Sequence, residues 1–317
     1  MQAKKPAVVD YVVEESGLNV TKITDESANS VIGATASPRF NILFFGKSAM
    51  AGSKKNLMWN LNRTLSISPD GSELAYLTRK NKQDNVMVRR ATGGGASTQR
   101  TNRDINDFCW GPDGNLYLSD FIERGHAKIA TIDAHKGSLM RQLTSNNYDL
   151  NPSTIDGKTI FFTRIENNGP MIWSYNIETG ELVSCTRGYQ PTPINETTVL
   201  CVRNSSEGNS EIWSVDYING QETLILSSKD QGFSNPTLSP NGEWILLQGN
   251  SKSTSTKKQN LDLFVVKPDG TQLTQLTYHP AMDFCPVWSA DGKSIYFISS
   301  RGTKDEAYNI WRMNFTL

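Results

Sequence analysis

The sequence is short of what most catalytic and nucleic-acid readings need. It carries three histidines, His126, His135 and His279, and four cysteines, Cys109, Cys185, Cys201 and Cys285. No two cysteines form Cys-x-x-Cys, and no histidine lies at metal-ligand spacing from any of them. The local pattern therefore holds no zinc finger and no redox dithiol. The thiols are expected to be free and buried on strands, with a disulfide left open as the alternative. Neither charge is in excess: Lys+Arg and Asp+Glu both number 32. A balanced chain has no stripe of cations to neutralise phosphates, so neither a nucleic-acid partner nor a polybasic membrane contact is expected. No apolar run approaches the ~18–20 residues of a spanning helix. Runs such as Trp244-Ile245-Leu246-Leu247 have strand length, so no membrane span is expected. No apolar stretch follows Met1-Gln2-Ala3-Lys4-Lys5-Pro6 as a signal peptide would require. Two expectations stay open: a cytosolic protein, or one whose targeting segment or lipid anchor preceded these residues.

What is present is a repeat. Ser68-Pro69-Asp70-Gly71 returns as Gly111-Pro112-Asp113-Gly114, Thr154-Ile155-Asp156-Gly157, Ser239-Pro240-Asn241-Gly242 and Ser289-Ala290-Asp291-Gly292. The glycines step by 43, 43, 85 and 50 residues, the third step holding two units. The Ser/Thr/Lys-rich stretch 249–259 lengthens the last step and reads as a hairpin loop. Pro presets φ, Asp or Asn tolerates the corner, and Gly supplies φ > 0, so each phrase predicts a tight turn between strands. A strongly apolar run follows each turn, as in Thr159-Ile160-Phe161-Phe162 and Ile295-Tyr296-Phe297-Ile298. Such runs predict strands buried on both faces. A second strand carries an apolar-Trp pair (Ile172-Trp173, Ile212-Trp213, Ile310-Trp311), and a third ends in Leu-Thr or Ile-Thr (Leu143-Thr144, Leu276-Thr277, Ile23-Thr24). With the segment before the turn, each unit has four strands, A to D.

Four-stranded units in tandem predict an all-β propeller occupying 1–317 as one domain. Blades are expected at about 28–62, 65–101, 105–144, 148–187, 189–228, 232–277 and 282–317, seven in all. The first rests on a spacing: Thr24 to Ile42 and Thr277 to Ile295 are both 18 residues. Six blades with an N-terminal extension is the alternative. The last unit stops at its third strand, while residues 18–24 form an orphan D-like strand; pairing the two would close the ring and remove its edges.

The repeat also accounts for most candidate chemistry. The turn aspartates recur because they satisfy turn backbone. Trp59, Trp173, Trp213 and Trp311 share one register, and Trp110 and Trp288 another, which points to packing between blades. Gly93-Gly94-Gly95 lacks the Lys-Ser/Thr of a phosphate loop and reads as a hairpin turn. The polar residues just before strand A remain: Asp107, Asp149, Asn151, Gln190, Asn235 and Asp283, flanked by Arg103 and Tyr148. Strand A lines the channel of a propeller and loops from every blade converge on its mouth. Those eight residues are the expected ligand-binding group, for a peptide segment, a cation or a sugar. No catalytic residue, metal ligand or cofactor is assigned.

The Ser-Pro-Asp-Gly turns, apolar B strands and Leu-Thr endings resemble the WD-like β-propeller repeats of TolB-like proteins, from Leu65 to Phe315 with a degenerate copy before. Related repeats occur in prolyl oligopeptidase-like peptidases and in oligogalacturonate lyases. The chain has no Gly-x-Ser-x-Gly elbow for the peptidase reaction, and its three histidines fall in loops of different units, unlike the metal-holding set expected of the lyases. Because the repeat uses nearly the whole chain, a non-catalytic, monomeric propeller with a protein or peptide partner at the channel mouth is expected, and the resemblance implies the bacterial periplasm or cell envelope. A glycan-active enzyme with a metal at that mouth, and a sugar or small-ligand sensor, are the alternatives. Fold alone does not decide among them.

Overall fold

Ser68-Pro69-Asp70-Gly71 shows what the repeated phrase does. Gly71 sits at φ +73° and its N–H donates to the Ser68 carbonyl at 2.9 Å. The Ser68 hydroxyl donates to the Asp70 carboxylate (2.6 Å) and accepts the Glu73 amide (2.9 Å); Asp70 also accepts the Ser72 amide at 3.0 Å. The corner is closed by side chains that use their donors and acceptors locally, which selects Ser, Asp and Gly at these positions. Ser239 with Asn241 and Ser289 with Asp291 repeat the hydroxyl contact at 2.7 and 2.6 Å.

The computed structural model describes residues 11–13, 18–24, 63–80, 83–123, 126–145, 148–206, 208–252, 259–301 and 308–316. They form six antiparallel sheets. Strands A to D of blade 1 are Leu65–Ile67, Glu73–Lys80, Gln83–Arg90 and Thr98–Gln99. Blade 2 is Ile105–Trp110, Asn115–Glu123, His126–Asp133 and Leu139–Gln142; blade 3 is Asp149–Ser153, Thr159–Glu166, Gly169–Asn176 and Leu182–Arg187. Blade 4 is Tyr189–Pro193, Thr198–Asn204, Ser210–Asp216 and Gln221–Leu226; blade 5 is Phe233–Leu238, Ile245–Lys252, Gln259–Val266 and Thr274–Gln275. Blade 6 takes strands A to C from Asp283–Trp288, Ser294–Ser299 and Asn309–Asn314, and its D strand from Asn19–Lys22 at the other end of the chain. Tyr11–Val13 lies outside that D strand as a fifth. No helix among the described residues is long and apolar enough to cross a membrane.

The N-terminal strand is a true D strand. In blades 1, 2 and 5 the threonine after strand D accepts a strand-C amide: Val86 to Thr101 and Ile129 to Thr144 at 2.9 Å, Leu263 to Thr277 at 3.0 Å. Thr24 accepts the Ile310 amide at 2.9 Å in the same way and donates to Asn309 Oδ1 at 2.7 Å. The Leu-Thr and Ile-Thr endings thus pair an apolar residue that fills the blade with a hydroxyl that satisfies a buried amide.

Every junction between blades is an apolar core. Trp110, Phe108 and Ile132 pack with Val86 and Leu77 between blades 1 and 2, and Trp311, Trp288 and Val20 pack with Trp244 and Leu263 between blades 5 and 6. Blade 6 lies directly on blade 1: Phe284, Ile298 and Ile310 share a core with Leu65, Leu74 and Tyr76, and a Cβ on Gly71 would stand 3.1 Å from that of Ala290. The A strands touch in sequence around the ring, including that of blade 6 with that of blade 1. This contact corrects the expectation of seven blades, because no room is left between those two for another. The ring has six blades with an N-terminal extension; segment 28–62, expected as a blade, lies outside the described residues.

Candidate functional site

Strand A is the inner edge of each sheet, and four of its six copies carry the same irregularity. Asn151, Gln190, Asn235 and Cys285 take φ of 51°, 53°, 52° and 49°. A register shift follows or includes each, between Leu150 and Ser153, Tyr189 and Thr192, Ser234 and Thr237, and Phe284 and Val287. Each is followed by proline: Pro152, Pro191, Pro236 and Pro286. A left-handed non-glycine residue costs about 1–3 kcal/mol, so four in one register need a compensating contact. Proline brings no N–H, which suits an inner edge that has no further strand to pair.

The compensation is a collar of hydrogen bonds between blades. The Asn151 amide and Nδ2 donate to the two carboxylate oxygens of Asp107 in blade 2, at 3.0 and 2.8 Å. The Gln190 amide donates to Thr163 Oγ1 at 3.0 Å, and that hydroxyl donates to Asn151 Oδ1 at 3.1 Å. The Asn235 amide donates to Gln190 Oε1 at 2.8 Å. Gln248 Oε1 accepts both Asn235 Nδ2 (3.0 Å) and the Cys285 amide (2.9 Å). The Cys285 thiol then meets the Thr64 hydroxyl of blade 1 at 3.4 Å. The bulge turns each left-handed residue's N–H out of its own sheet and toward the preceding blade. Thr64, Asp107, Asn151, Gln190, Asn235 and Cys285 are one residue per blade, all buried.

Toward the loops before strand A lies a layer of ion pairs. Asp149 accepts Arg164 Nε and Nη2 at 2.7 and 3.0 Å, and Arg164 stacks 4.8 Å from the Trp173 ring centre. Asp283 is paired with Arg301 in the equivalent place of blade 6, on the far side of the ring. Arg103 pairs with Asp120 at 3.0 Å. Burial pushes the Asp149 and Asp120 carboxyls upward, opposed chiefly by their arginines. Asp107 is pushed up to about 8 by burial, against the two bonds from Asn151 and the field of Arg63.

Of the eight residues singled out from the sequence, the structure joins Asp107, Asn151, Gln190 and Asn235 through their polar atoms and takes Asp149, Asp283 and Arg103 to partners of their own. Asp107, Asn151, Gln190 and Asn235 belong to the collar, Asp149 and Asp283 to the ion pairs, and all six are withdrawn from solvent. Tyr148 is buried too and bridges to Ala127 of blade 2. Arg103 remains about one-third exposed. Sequence reading missed Thr64 and Cys285. Both stand seven residues before a turn glycine, as do Asp107 and Asn235, so the repeat register held the signal. It also missed Arg63, discussed below. The tryptophans divide: Trp311, Trp288, Trp244 and Trp110 are buried, Trp173 and Trp213 are partly exposed, and Trp59 lies outside the described residues. His126 and His135 are exposed. Among the described residues no three His, Cys, Asp or Glu are placed to hold a metal ion.

The sequence model of the TolB beta propeller domain matches residues 52–256. A stretch of 65 residues is 35% identical to dipeptidyl-peptidase 5 of Porphyromonas gingivalis, covering 20% of this chain and only 10% of that one. Among solved structures, TolB from Acinetobacter baumannii superposes with a TM-score of 0.62 at 17% identity over 78% of this chain. This chain covers 65% of that one, just under two thirds of its length. Oligogalacturonate lyase from Vibrio parahaemolyticus superposes with a TM-score of 0.60 at 10% identity, over 97% of this chain and 96% of its own. At such identities these superpositions establish a shared fold.

Proposed function

The chain belongs to the TolB β-propeller family, and on that premise we propose that it is a non-catalytic propeller of the bacterial cell envelope that binds a protein or peptide partner at a channel mouth. The observation that carries this reading is the engagement of the inner aspartates. Asp107 is held by Asn151, Asp149 by Arg164 and Asp283 by Arg301, each from a neighbouring strand or blade. A general acid or base has to reach substrate, whereas these carboxyls fix the geometry of the ring on which the surrounding loops are displayed. A rigid ring presenting loops from six blades to one side suits recognition of an extended or folded partner.

The test is capture from bacterial envelope extract, followed by reconstitution with the purified partner. A saturable complex, weakened by substitutions in the loops before strand A and untouched by substitutions on the opposite face, is the expected result. No saturable partner, together with turnover of any substrate, would overturn it. The oligogalacturonate lyases match the ring over its full length, which favours the glycan-active alternative as a second reading. That reading expects a tightly held divalent cation, so metal analysis of the purified protein separates the two.

A further inference from the structure

Arg63 immediately precedes the collar residue of blade 1. The residues in the same register of blades 3, 4 and 6 are Leu150, Tyr189 and Phe284, whose side chains are buried in the cores between blades. Arg63 takes another course. Its Nη2 donates to the Gln190 carbonyl at 3.1 Å and to Thr192 Oγ1 at 2.7 Å. Both acceptors belong to strand A of blade 4, three blades away in a ring of six, so the guanidinium lies across the channel. The groups around it are the Asp107 carboxyl, whose oxygens already accept both Asn151 donors, and the Cys109 and Cys285 thiols.

The guanidinium is planar and has five donors. Two lie on the Nη2 that spans to blade 4. Nε is buried and has no hydrogen-bond partner among the described residues. No carboxylate among the described residues lies within ion-pair distance of it, and Asp107 acts on it only through space. A cation drawn into the interior without a counter-charge in contact is costly, and a charged N–H is a strong donor to a carboxylate. Resting on the peptide-binding reading above, we propose that Arg63 is the anchor of the channel site and takes a carboxylate of the bound partner, from a chain terminus or an acidic side chain, on its Nε–H.

The test follows the Arg63 Nε–H resonance of the full-length protein by nitrogen-15 NMR while acetate is added. It then measures affinity for three short peptides: acetyl-Gly-Gly-Gly with a free C-terminus, its amide, and the amide with one internal Glu. A saturable shift with acetate that chloride does not reproduce is expected. At least one carboxylate-bearing peptide should bind better than the amide, and which one does identifies the source of the carboxylate. Arg63→Gln should weaken that peptide about tenfold or more, as loss of a charged hydrogen bond does, with Arg63→Lys in between. Because Arg63 also ties blade 1 to blade 4, the acetate titration of the unsubstituted protein stands even if the variants fail to fold. No acetate shift, or an equal shift with chloride, would overturn the anchor. A partner captured equally by the parent protein and by Arg63→Gln would overturn it too, while leaving the binding function intact. Acetate and peptide binding at Arg63 without any protein partner would do the reverse.

Discussion

Asp107 is a carboxylic acid held away from water by the collar it belongs to, and its titration should be visible in stability. Burial pushes it up to about 8 in the folded protein, whereas in the unfolded chain it titrates near its ordinary value of about 4. Between those limits the folded state keeps a proton that the unfolded state has released. Raising pH through that window therefore favours unfolding. Asp149 and Asp120 are displaced in the same direction and contribute to the same slope. Asp107→Asn cannot titrate, so its stability should fall less steeply than the parent's between about pH 5 and pH 8. Urea unfolding at several pH values checks this; parallel profiles would mean that Asp107 is ionised throughout. Asp70, Asp156 and Asp291 of the turns are displaced the opposite way, downward. Asp70 is held down at about 2 by the Ser68 hydroxyl and the Ser72 amide, and it keeps its charge through that range. Sequence reading assigned the turn aspartates to the turns from their spacing and their Pro and Gly neighbours. It separated Asp107 from them by its place before strand A, but what holds Asp107, the Asn151 side chain of the next blade, was not legible along the chain.

At the scale of the strand, Thr24 offers the sharpest comparison. Its hydroxyl accepts a buried amide of the last blade from the end of the Asn19–Lys22 strand, in the place where Thr277 serves blade 5. Thr24→Val keeps the shape and leaves the Ile310 amide unpaired, which should cost about 1–3 kcal/mol. Thr277→Val should cost a similar amount, since the contact is the same. Urea denaturation of the two variants side by side measures it; a Thr24→Val with parental stability would show that the N-terminal strand is not a working member of blade 6. The strand pattern itself was legible. Apolar B strands, the apolar-Trp C strands and the Leu-Thr endings are local in sequence, and each predicted strand type is found. The bulge in strand A was not read, although Asn151-Pro152, Gln190-Pro191, Asn235-Pro236 and Cys285-Pro286 repeat in one register. A polar residue before proline is ordinary in any loop. Its meaning depends on the neighbouring blade that receives its amide.

At the scale of the whole molecule, closure rests on residues 18–24. Leu18, Val20 and Ile23 are buried among blades 5, 6 and 1, and burying three such side chains contributes roughly 5–9 kcal/mol. A chain lacking residues 1–24 loses that and exposes the edge of Asn309–Asn314, a ready template for association. It should unfold at lower denaturant and self-associate, read by urea titration and by light scattering. A truncated chain that stays monomeric and equally stable would show that the ring does not need this strand.

The sequence by itself determined the repeat, the four-strand unit, the turns and the pairing of the two chain ends, because each is written in short-range patterns or in complementary leftovers. Tertiary structure alone decided the number of blades and the role of the polar residues of strand A. The count depends on blade 6 meeting blade 1, a contact between segments more than two hundred residues apart. The polar residues look free when read along the chain and are engaged across it, Asp107, Asn151, Gln190 and Asn235 by the blades beside their own and Asp149 and Asp283 by arginines of the same blade. Arg63 reaches farthest across the ring: its partners lie three blades away, 127 and 129 residues along the chain, and only the closed ring brings them to it.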